Sequence, residues 1–290
     1  MWRAALAAAG LLLSGTAAYA DLDDYVQVDR GRYLAIAGDC AACHASEKGA
    51  FAGGRAIETP FGNINAANLT PDRDTGLGRW SAEDLWHALH DGHSVTDGHL
   101  YPAFPYNYYT RVTRSDSDAL FAFLRSVEPV NNPVDRNTLP WPFSMRASML
   151  GWNTLEFTPG VFQPDPNRSV LFNRGAYLVE GLGHCGACHT PMNLIGGPKE
   201  SEHLQGNSIQ NWLAPSLTND TQAGLGSWSV DDIVQYLQTG RNLHAAASGP
   251  MGEVIEVSTS KMTEPDLRAI ATYLKERGAA GPQPSAPLPT

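Results

Sequence analysis

Two Cys-x-x-Cys-His pentads contain every cysteine of this 290-residue chain: Cys40-Ala-Ala-Cys43-His44 and Cys185-Gly-Ala-Cys188-His189. Two thiols three residues apart on one helical turn can each form a thioether with the same porphyrin, and the histidine that follows then faces the iron. Each pentad is therefore typical of a c-type haem attachment site. We predict two covalently bound haem c groups, attached through Cys40, Cys43, Cys185 and Cys188, with His44 and His189 as proximal iron ligands.

Zinc binding and thiol redox chemistry are the other common uses of a Cys-x-x-Cys pair. A zinc site does not require a histidine directly after the second cysteine. A thioredoxin-like redox centre needs only one such pair, which leaves the second pentad without a role. The repetition of the complete pentad favours haem over both alternatives.

The amino terminus has the pattern of a secretory signal. It contains one basic residue, Arg3, an apolar run over residues 5–13, and small residues at Ala18 and Ala20. This pattern predicts cleavage after Ala20 and a periplasmic mature chain. The apolar run is too short to span a bilayer, and no other segment is long and apolar enough, so we expect no transmembrane segment in the mature chain.

The chain is acidic, with a formal net charge of −10. Removal of the predicted signal takes away one further positive charge. An acidic protein is repelled by phosphates, so nucleic acid and anionic membrane surfaces are not expected partners.

The chain also contains an internal duplication. The two pentads lie 145 residues apart, and residues 68–81 are echoed by residues 216–229. A repeat of this length indicates two copies of one domain and not a solenoid. We predict a mainly α fold of two tandem class I cytochrome c-type domains, residues 21–128 and 171–278. The Pro- and aromatic-rich segment 129–170 joins them and is expected to pack over the haems, and residues 279–290 form a disordered tail.

Matching helix signals occur in both copies. Ser81 and Ser229 each begin a capping-box pattern, and Gly92 and Gly240 follow as helix ends. A second helix is predicted later in each copy, from Ser115 to Leu124 and from Thr263 to Leu274.

Five further motifs have a more specific pattern than the pentads: Gly53-Gly54, Thr59-Pro60-Phe61-Gly62, Asn68-Leu69-Thr70-Pro71-Asp72, Leu100-Tyr101-Pro102-Ala103-Phe104-Pro105-Tyr106 and Gly181-Leu182-Gly183-His184-Cys185. With these motifs, the chain resembles the cytochrome c subunit family of membrane-associated alcohol dehydrogenases and of related periplasmic dehydrogenases. The resemblance covers nearly all of residues 28–277.

The resemblance implies an electron carrier without catalytic activity of its own. Its donor would be a periplasmic dehydrogenase subunit holding a quinone, flavin or molybdenum cofactor, and its acceptor would lie in the respiratory chain. Relatives from alcohol dehydrogenase complexes carry a third haem domain and a membrane-binding segment. Because this chain ends in a Pro-rich tail, we expect a shortened, soluble, two-haem relative.

The resemblance also suggests the sixth iron ligands. For haem 2 the family pattern points to Met251 in Gly249-Pro250-Met251. At the equivalent position for haem 1 the chain has Phe104, which cannot bind iron. We prefer Met149 as the substitute, because its segment is expected to fold back on haem 1. The alternatives are Met145, His99, His93 or no ligand.

An open or weakly ligated haem 1 would instead suit a peroxidase-like or thiosulfate-oxidising enzyme. Only Phe104 favours this alternative, and no residue is identifiably placed as a distal acid or base. Apart from the ligand alternative kept open for His93, four histidines are expected on the solvated surface: His87, His90, His93 and His203.

Overall fold

The computed structural model describes residues 13–135 and 138–278, with side chains from residue 24 onward. The predicted tail at residues 279–290 lies outside the described residues, as does most of the predicted signal peptide. Both therefore stay predictions. Within the described residues, no helix has the length and apolar content needed to cross a bilayer.

The described chain is mainly α-helical, as predicted. Its α-helices are, in chain order, α1 (Leu13–Ala37), α2 (Cys40–His44), α3 (Ala82–Asp91), α4 (Tyr106–Tyr109), α5 (Arg114–Ser126), α6 (Ser148–Glu156), α7 (Val170–Tyr177), α8 (Gly186–His189), α9 (Val230–Thr239), α10 (Gly249–Val257) and α11 (Glu264–Glu276). A π-helical turn, Leu178–Leu182, follows α7, and two 3-10 turns lie at Glu200–Glu202 and Thr259–Lys261.

Sheet structure in the described residues is limited to three antiparallel pairs. They are β1 (Ala56–Thr59) with β2 (Gly62–Asn65), β3 (His93–Ser94) with β4 (Gly98–His99), and β5 (Asn207–Ile209) with β6 (Trp212–Ala214). β1–β2 and β5–β6 each follow a pentad, so these hairpins repeat with the duplication.

The same helix crossing forms the core of the first half (residues 24–128) and of the second half (residues 171–278). α1 packs on α5, and α7 packs on α11. Both crossings depend on a glycine: a Cβ atom added to Gly31 would lie 1.9 Å from the carbonyl oxygen of Ala119, and one added to Gly175 would lie 2.0 Å from that of Ala269. Since no side chain fits between the backbones, the helices are in direct contact.

The predicted caps of α3 and α9 are confirmed. The hydroxyl groups of Ser81 and Ser229 each accept a hydrogen bond from the backbone of the third helical residue, whose carboxylate bonds back to the cap. Gly92 and Gly240 end these helices with φ values of 59° and 76°. Glycine adopts this left-handed conformation without steric cost, which explains why both helices end there.

The two halves differ in length by one residue between the first helix and the pentad. Gly175 follows Gly31 by 144 residues, whereas His189 follows His44 by 145. The additional residue coincides with the π-helical turn Leu178–Leu182, where the wider hydrogen-bond spacing accommodates it.

Reciprocal hydrogen bonds join the two halves. The hydroxyl of Tyr33 in α1 donates to the Asp266 carboxylate in α11 at 2.7 Å, and the hydroxyl of Tyr177 in α7 donates to the Asp116 carboxylate in α5 at 2.5 Å. Each carboxylate also binds an arginine of its own half: Arg30 bonds to Asp116, and Arg174 bonds to Asp266. The interface therefore has an approximate two-fold pattern.

The segment between the halves contacts both of them. The indole of Trp152 in α6 is buried and donates to the carbonyl oxygen of Ile195 in the second half. The hydroxyl of Tyr106 in the first half donates to the side-chain oxygen of Asn153 at 2.6 Å. This segment is therefore not a loose linker, although Trp141 remains 79% exposed.

Candidate functional site

The first pentad forms the short helix α2. Asp39 precedes it in the left-handed conformation, with φ of 53°. The Nδ1 atom of His44 lies 2.7 Å from the carbonyl oxygen of Ala67. Because a carbonyl oxygen only accepts, Nδ1 carries the proton and Nε2 keeps its lone pair. This arrangement leaves Nε2 of His44 able to bind a metal and fixes the orientation of the ring.

The second pentad repeats this geometry. His184 precedes Cys185 with φ of 38°, and α8 ends at His189. Nδ1 of His189 donates to the carbonyl oxygen of Pro215, again at 2.7 Å. Pro215 follows Ala67 by 148 residues, which is the offset of the surrounding repeat. The two histidines are thus oriented by equivalent backbone carbonyl groups.

The four cysteines are free and partly exposed. Burial in apolar surroundings raises the pKa of Cys40 and Cys185 to about 12 and that of Cys43 to about 11, and it also raises the pKa of Cys188. They are therefore protonated thiols at neutral pH. In this state a thiol is a poor nucleophile and does not bind a metal as a thiolate. Among the described side chains, no group of three or more His, Cys, Asp and Glu residues could hold a metal ion.

Helix α4 lies between the two pentads. The hydroxyl of Tyr109 donates to the carbonyl oxygen of Gly38 at 3.2 Å, and its ring contacts that of His184 with centroids 5.4 Å apart. On the other side, a Cβ atom added to Gly186 would lie 2.7 Å from the ring of Tyr108. Two adjacent tyrosines of α4 therefore contact the segments that carry both pentads.

The structure places Met251 in the first turn of α10, half-buried. This helix packs against α9 in its own half and against α2 in the first half. Glu253 forms an ion pair with Arg55, which also donates to the carbonyl oxygen of Ala42 within the first pentad. The helix that carries Met251 is therefore attached to the pentad of the other half.

The segment that carries the methionine candidates for the first half contacts the loop before Phe104. Met149 is half-buried near the start of α6, whereas Met145 is 50% exposed. The guanidinium group of Arg146, between these methionines in sequence, donates to the carbonyl oxygen of His99 at 3.0 Å. Phe104 itself packs on Tyr109, with ring centroids 5.2 Å apart. The segment thus contacts the first half, and its predicted position over haem 1 stays a prediction.

The β3–β4 pair contains two further candidates. His93 and His99 pair directly, and their rings meet edge to face with centroids 5.4 Å apart. His93 is exposed, whereas His99 is partly buried.

Two histidines that were expected on the surface are buried, so those predictions were wrong. His90 stacks on Trp86 with ring centroids 3.5 Å apart, and its Nε2 lies 2.7 Å from the carbonyl oxygen of Val112. His203 lies in the second half beside the buried carboxylate of Glu180. The position of His90 directly after Leu89 on an amphipathic helix was a usable signal, but nothing near His203 in sequence indicated burial.

The residues present fit two covalently held haem groups. Each pentad combines two neighbouring thiols with an imidazole whose Nε2 is available, and this donor set matches thioether attachment with axial histidine ligation. When bound, such groups supply one-electron redox chemistry. The chain's own residues would hold the porphyrin, orient the proximal ligand and limit the access of water.

Curated relatives agree with this site. Over 254 residues, the chain is 46% identical to the fructose dehydrogenase cytochrome subunit of Gluconobacter japonicus, a match that covers 86% of this chain and 52% of the relative. It is 43% identical over 284 residues to the gluconate 2-dehydrogenase cytochrome c subunit of Pantoea cypripedii, covering 92% and 64%. A dihaem c-type cytochrome of Cereibacter sphaeroides is 37% identical over 256 residues, covering 86% and 85%.

These matches define a class, the c-type cytochromes, whose members hold haem covalently. Within that class, the chain belongs to the family of cytochrome c subunits of dehydrogenases. It spans about half the length of the fructose dehydrogenase subunit and under two thirds of the gluconate dehydrogenase subunit. No protein-family model matches the chain.

Proposed function

We propose that the chain is a dihaem c-type cytochrome that carries electrons from a periplasmic dehydrogenase to the respiratory chain. The observation that carries this proposal is the duplicated pentad geometry, in which His44 and His189 each donate Nδ1–H to a backbone carbonyl at 2.7 Å. A chain with one working site would not need to keep the same hydrogen bond twice.

The architecture we propose is two tandem class I cytochrome c-type domains, residues 21–128 and 171–278, joined by residues 129–170. The repeated helix crossings and hairpins of the two halves support it. We assign Cys40, Cys43, Cys185 and Cys188 to thioether attachment, and His44, His189, Met251 and Met149 to the iron.

The donor we propose is a dehydrogenase subunit, because two relatives are named as cytochrome subunits of fructose and gluconate dehydrogenases. The proposal that this donor holds a quinone, flavin or molybdenum cofactor rests on the family resemblance of the sequence motifs. The location we propose is the periplasm, after cleavage following Ala20. The close contact of α4 with both pentads supports transfer of electrons between two sites within one chain.

The chain should be produced with its signal in a host that matures c-type cytochromes, and intact mass should be measured after purification. We expect two haem additions on a chain that begins at Asp21. Replacing Cys40 and Cys43 together by alanine should prevent attachment of one haem. Replacing Cys185 and Cys188 together should prevent attachment of the other. Retention of both haems in either variant would contradict the assignment.

Phe104 favours a second candidate, an enzyme with an open iron in the first half. Low-temperature electron paramagnetic resonance of the oxidised protein separates the two candidates. Two low-spin signals support the carrier and distinguish methionine from bis-histidine ligation. A stoichiometric high-spin signal would favour the enzyme.

A further inference from the structure

A buried ionisable cluster lies in the second half, outside the residues assigned to haem binding. Nε2 of His203 lies 2.9 Å from Oε2 of Glu180, and the hydroxyl of Tyr273 donates to Oε1 of the same carboxylate at 2.6 Å. Each of the three side chains belongs to a residue at most 5% exposed. Ionisable side chains so far from water are costly to bury, and the electron-carrier assignment alone gives this cluster no role.

The cluster adjoins the proximal side of the second pentad. Nδ1 of His203 lies 3.5 Å from the hydroxyl oxygen of Thr190, the residue after His189. The backbone N–H groups of Leu204 and Gly206 donate to the Thr190 hydroxyl and to the His189 carbonyl oxygen, respectively. A change of charge on the cluster would therefore act close to the predicted iron ligand in an interior of low effective dielectric constant.

The first half has apolar residues in the corresponding places. Ala45 follows His44 as Thr190 follows His189, and Ala35 precedes the first cysteine by five residues, as Glu180 does. The backbone N–H of Leu69 bonds to the carbonyl of Phe51, as that of Leu217 bonds to the carbonyl of Leu204.

This second correspondence aligns Ala50 with His203, because each precedes the residue whose carbonyl oxygen accepts the matching bond. Phe123 and Tyr273 correspond through the helix crossings, since each approaches the equivalent glycine with its Cβ atom. The cluster is therefore specific to the second half and is not part of the shared domain framework.

We propose that Glu180, His203 and Tyr273 form a proton-binding site that couples the redox state of the second haem to pH. This inference rests on the proposed dihaem function. When one electron reduces the iron held by His189, one proton from solvent binds to the Glu180–His203 pair and compensates the added negative charge. Oxidation releases the same electron and proton in the reverse direction.

The groups that face the cluster set its resting charge. Burial by itself would raise the pKa of Glu180, but the hydrogen bonds from His203 and Tyr273 outweigh it and lower that pKa. Arg111 acts in the same direction from the first half, and Arg277 bonds to Tyr273. The carboxylate is thus held ionised beside the buried imidazole of His203.

The remaining neighbours are neutral. Burial raises the pKa of Tyr108 above its ordinary value, and Tyr108 bonds to Thr190. Cys185, which becomes a thioether in the proposed holoprotein, carries no charge.

The test is potentiometric titration of both haems in the mature holoprotein between pH 5 and 9, with proton uptake on reduction measured by an indicator dye. We expect the potential of haem 2 to fall as pH rises, by up to about 59 mV for each tenfold change in proton activity. Proton uptake should accompany its reduction. A haem 2 potential that does not change with pH would overturn the inference.

The variants Glu180→Gln and His203→Gln should each abolish this pH dependence while two haems remain attached. Tyr273→Phe copies the first half and is the milder variant: loss of a donor to the carboxylate should move the pH dependence to higher pH. His90→Gln is the matched control, a buried histidine of the first half bonded to a backbone carbonyl. It should leave the dependence of haem 2 unchanged.

Unchanged pH dependence in Glu180→Gln and His203→Gln would assign the proton to another group, such as a haem propionate, and would overturn the inference. Intact mass distinguishes this failure from failure of the proposed function. If two haems are present but the cluster has no effect, only the inference is wrong. If fewer than two haems are attached, the dihaem function is wrong. The wild-type titration decides the question even if a variant fails to fold.

Discussion

Replacement of Gly31 by alanine tests the helix crossing that organises the first half. The new Cβ atom would lie 1.9 Å from the carbonyl oxygen of Ala119, 2.6 Å from its carbonyl carbon and 2.8 Å from the Cβ atom of Phe123. Real Cβ atoms essentially never approach within 3.0 Å of another heavy atom. Two of the three obstacles are backbone atoms, so a change of rotamer cannot relieve the clash. Helices α1 and α5 must separate.

The size of the effect follows from the separation required. Overpacking of a core costs about 1–3 kcal/mol, and occasionally more. A shortfall of more than an ångström against backbone atoms belongs at the upper end, so we expect a loss of about 3 kcal/mol. At roughly 2–4 °C per kcal/mol for a chain of this size class, the Tm should fall by roughly 6–12 °C. Thermal unfolding of the holoprotein followed by far-ultraviolet circular dichroism measures it.

Two matched variants control the experiment. Gly175→Ala meets the carbonyl oxygen of Ala269 at 2.0 Å and should be as damaging as Gly31→Ala. Gly151 lies inside α6, and a Cβ atom there meets nothing within 4 Å. Gly151→Ala should therefore stabilise the chain by about 0.5–1 kcal/mol. The reasoning would be refuted if Gly31→Ala changed the Tm no more than Gly151→Ala.

Three further predictions concern the site, the interface and pH. Met251→Ala should lower the potential of haem 2 and allow carbon monoxide to bind its iron, and Met149→Ala should have the same effects on haem 1. An unchanged absorption spectrum in either variant would show that the replaced methionine is not a ligand. A double-mutant cycle of Tyr177→Phe and Asp116→Asn should give a coupling free energy of about 0.5–3 kcal/mol in chemical denaturation, whereas additivity would mean that their 2.5 Å contact contributes nothing. Burial would raise the pKa of Asp266, but its arginine and tyrosine partners lower it below the ordinary 3.8. Its contribution to stability should thus be complete above pH 3.8 and disappear as the pH falls further, and Asp266→Asn should remove this part of the acid dependence.

Local sequence signals predicted the helix boundaries of the duplicated framework well. The caps at Ser81 and Ser229 and the glycines that end α3 and α9 involve residues within one turn of each other, so sequence alone determines them. The later helices were also predicted, and α5 extends from Arg114 to Ser126, slightly beyond the predicted Ser115 to Leu124.

Contacts between distant parts of the chain were not predictable in the same way. Tyr33 and Asp266 are separated by 233 residues, and no local pattern links them. His203 was expected at the surface because histidine is usually solvated, yet its burial depends on a carboxylate 23 residues earlier. Hydrogen-bond partners of this kind depend on the packing of complete helices, which a single sequence does not reveal.

The one-residue difference between the halves connects the framework to the buried cluster. Before the additional residue, Gly175 is held against α11 as Gly31 is held against α5. After the additional residue, His189 is oriented by a backbone carbonyl group as His44 is. Because both ends keep the same geometry, the additional residue must be accommodated between them, where the π-helical turn lies. Glu180 is in that turn. The second half therefore accommodates a buried carboxylate without displacing its pentad, so one framework can serve both halves while the proposed proton-binding site is confined to the second.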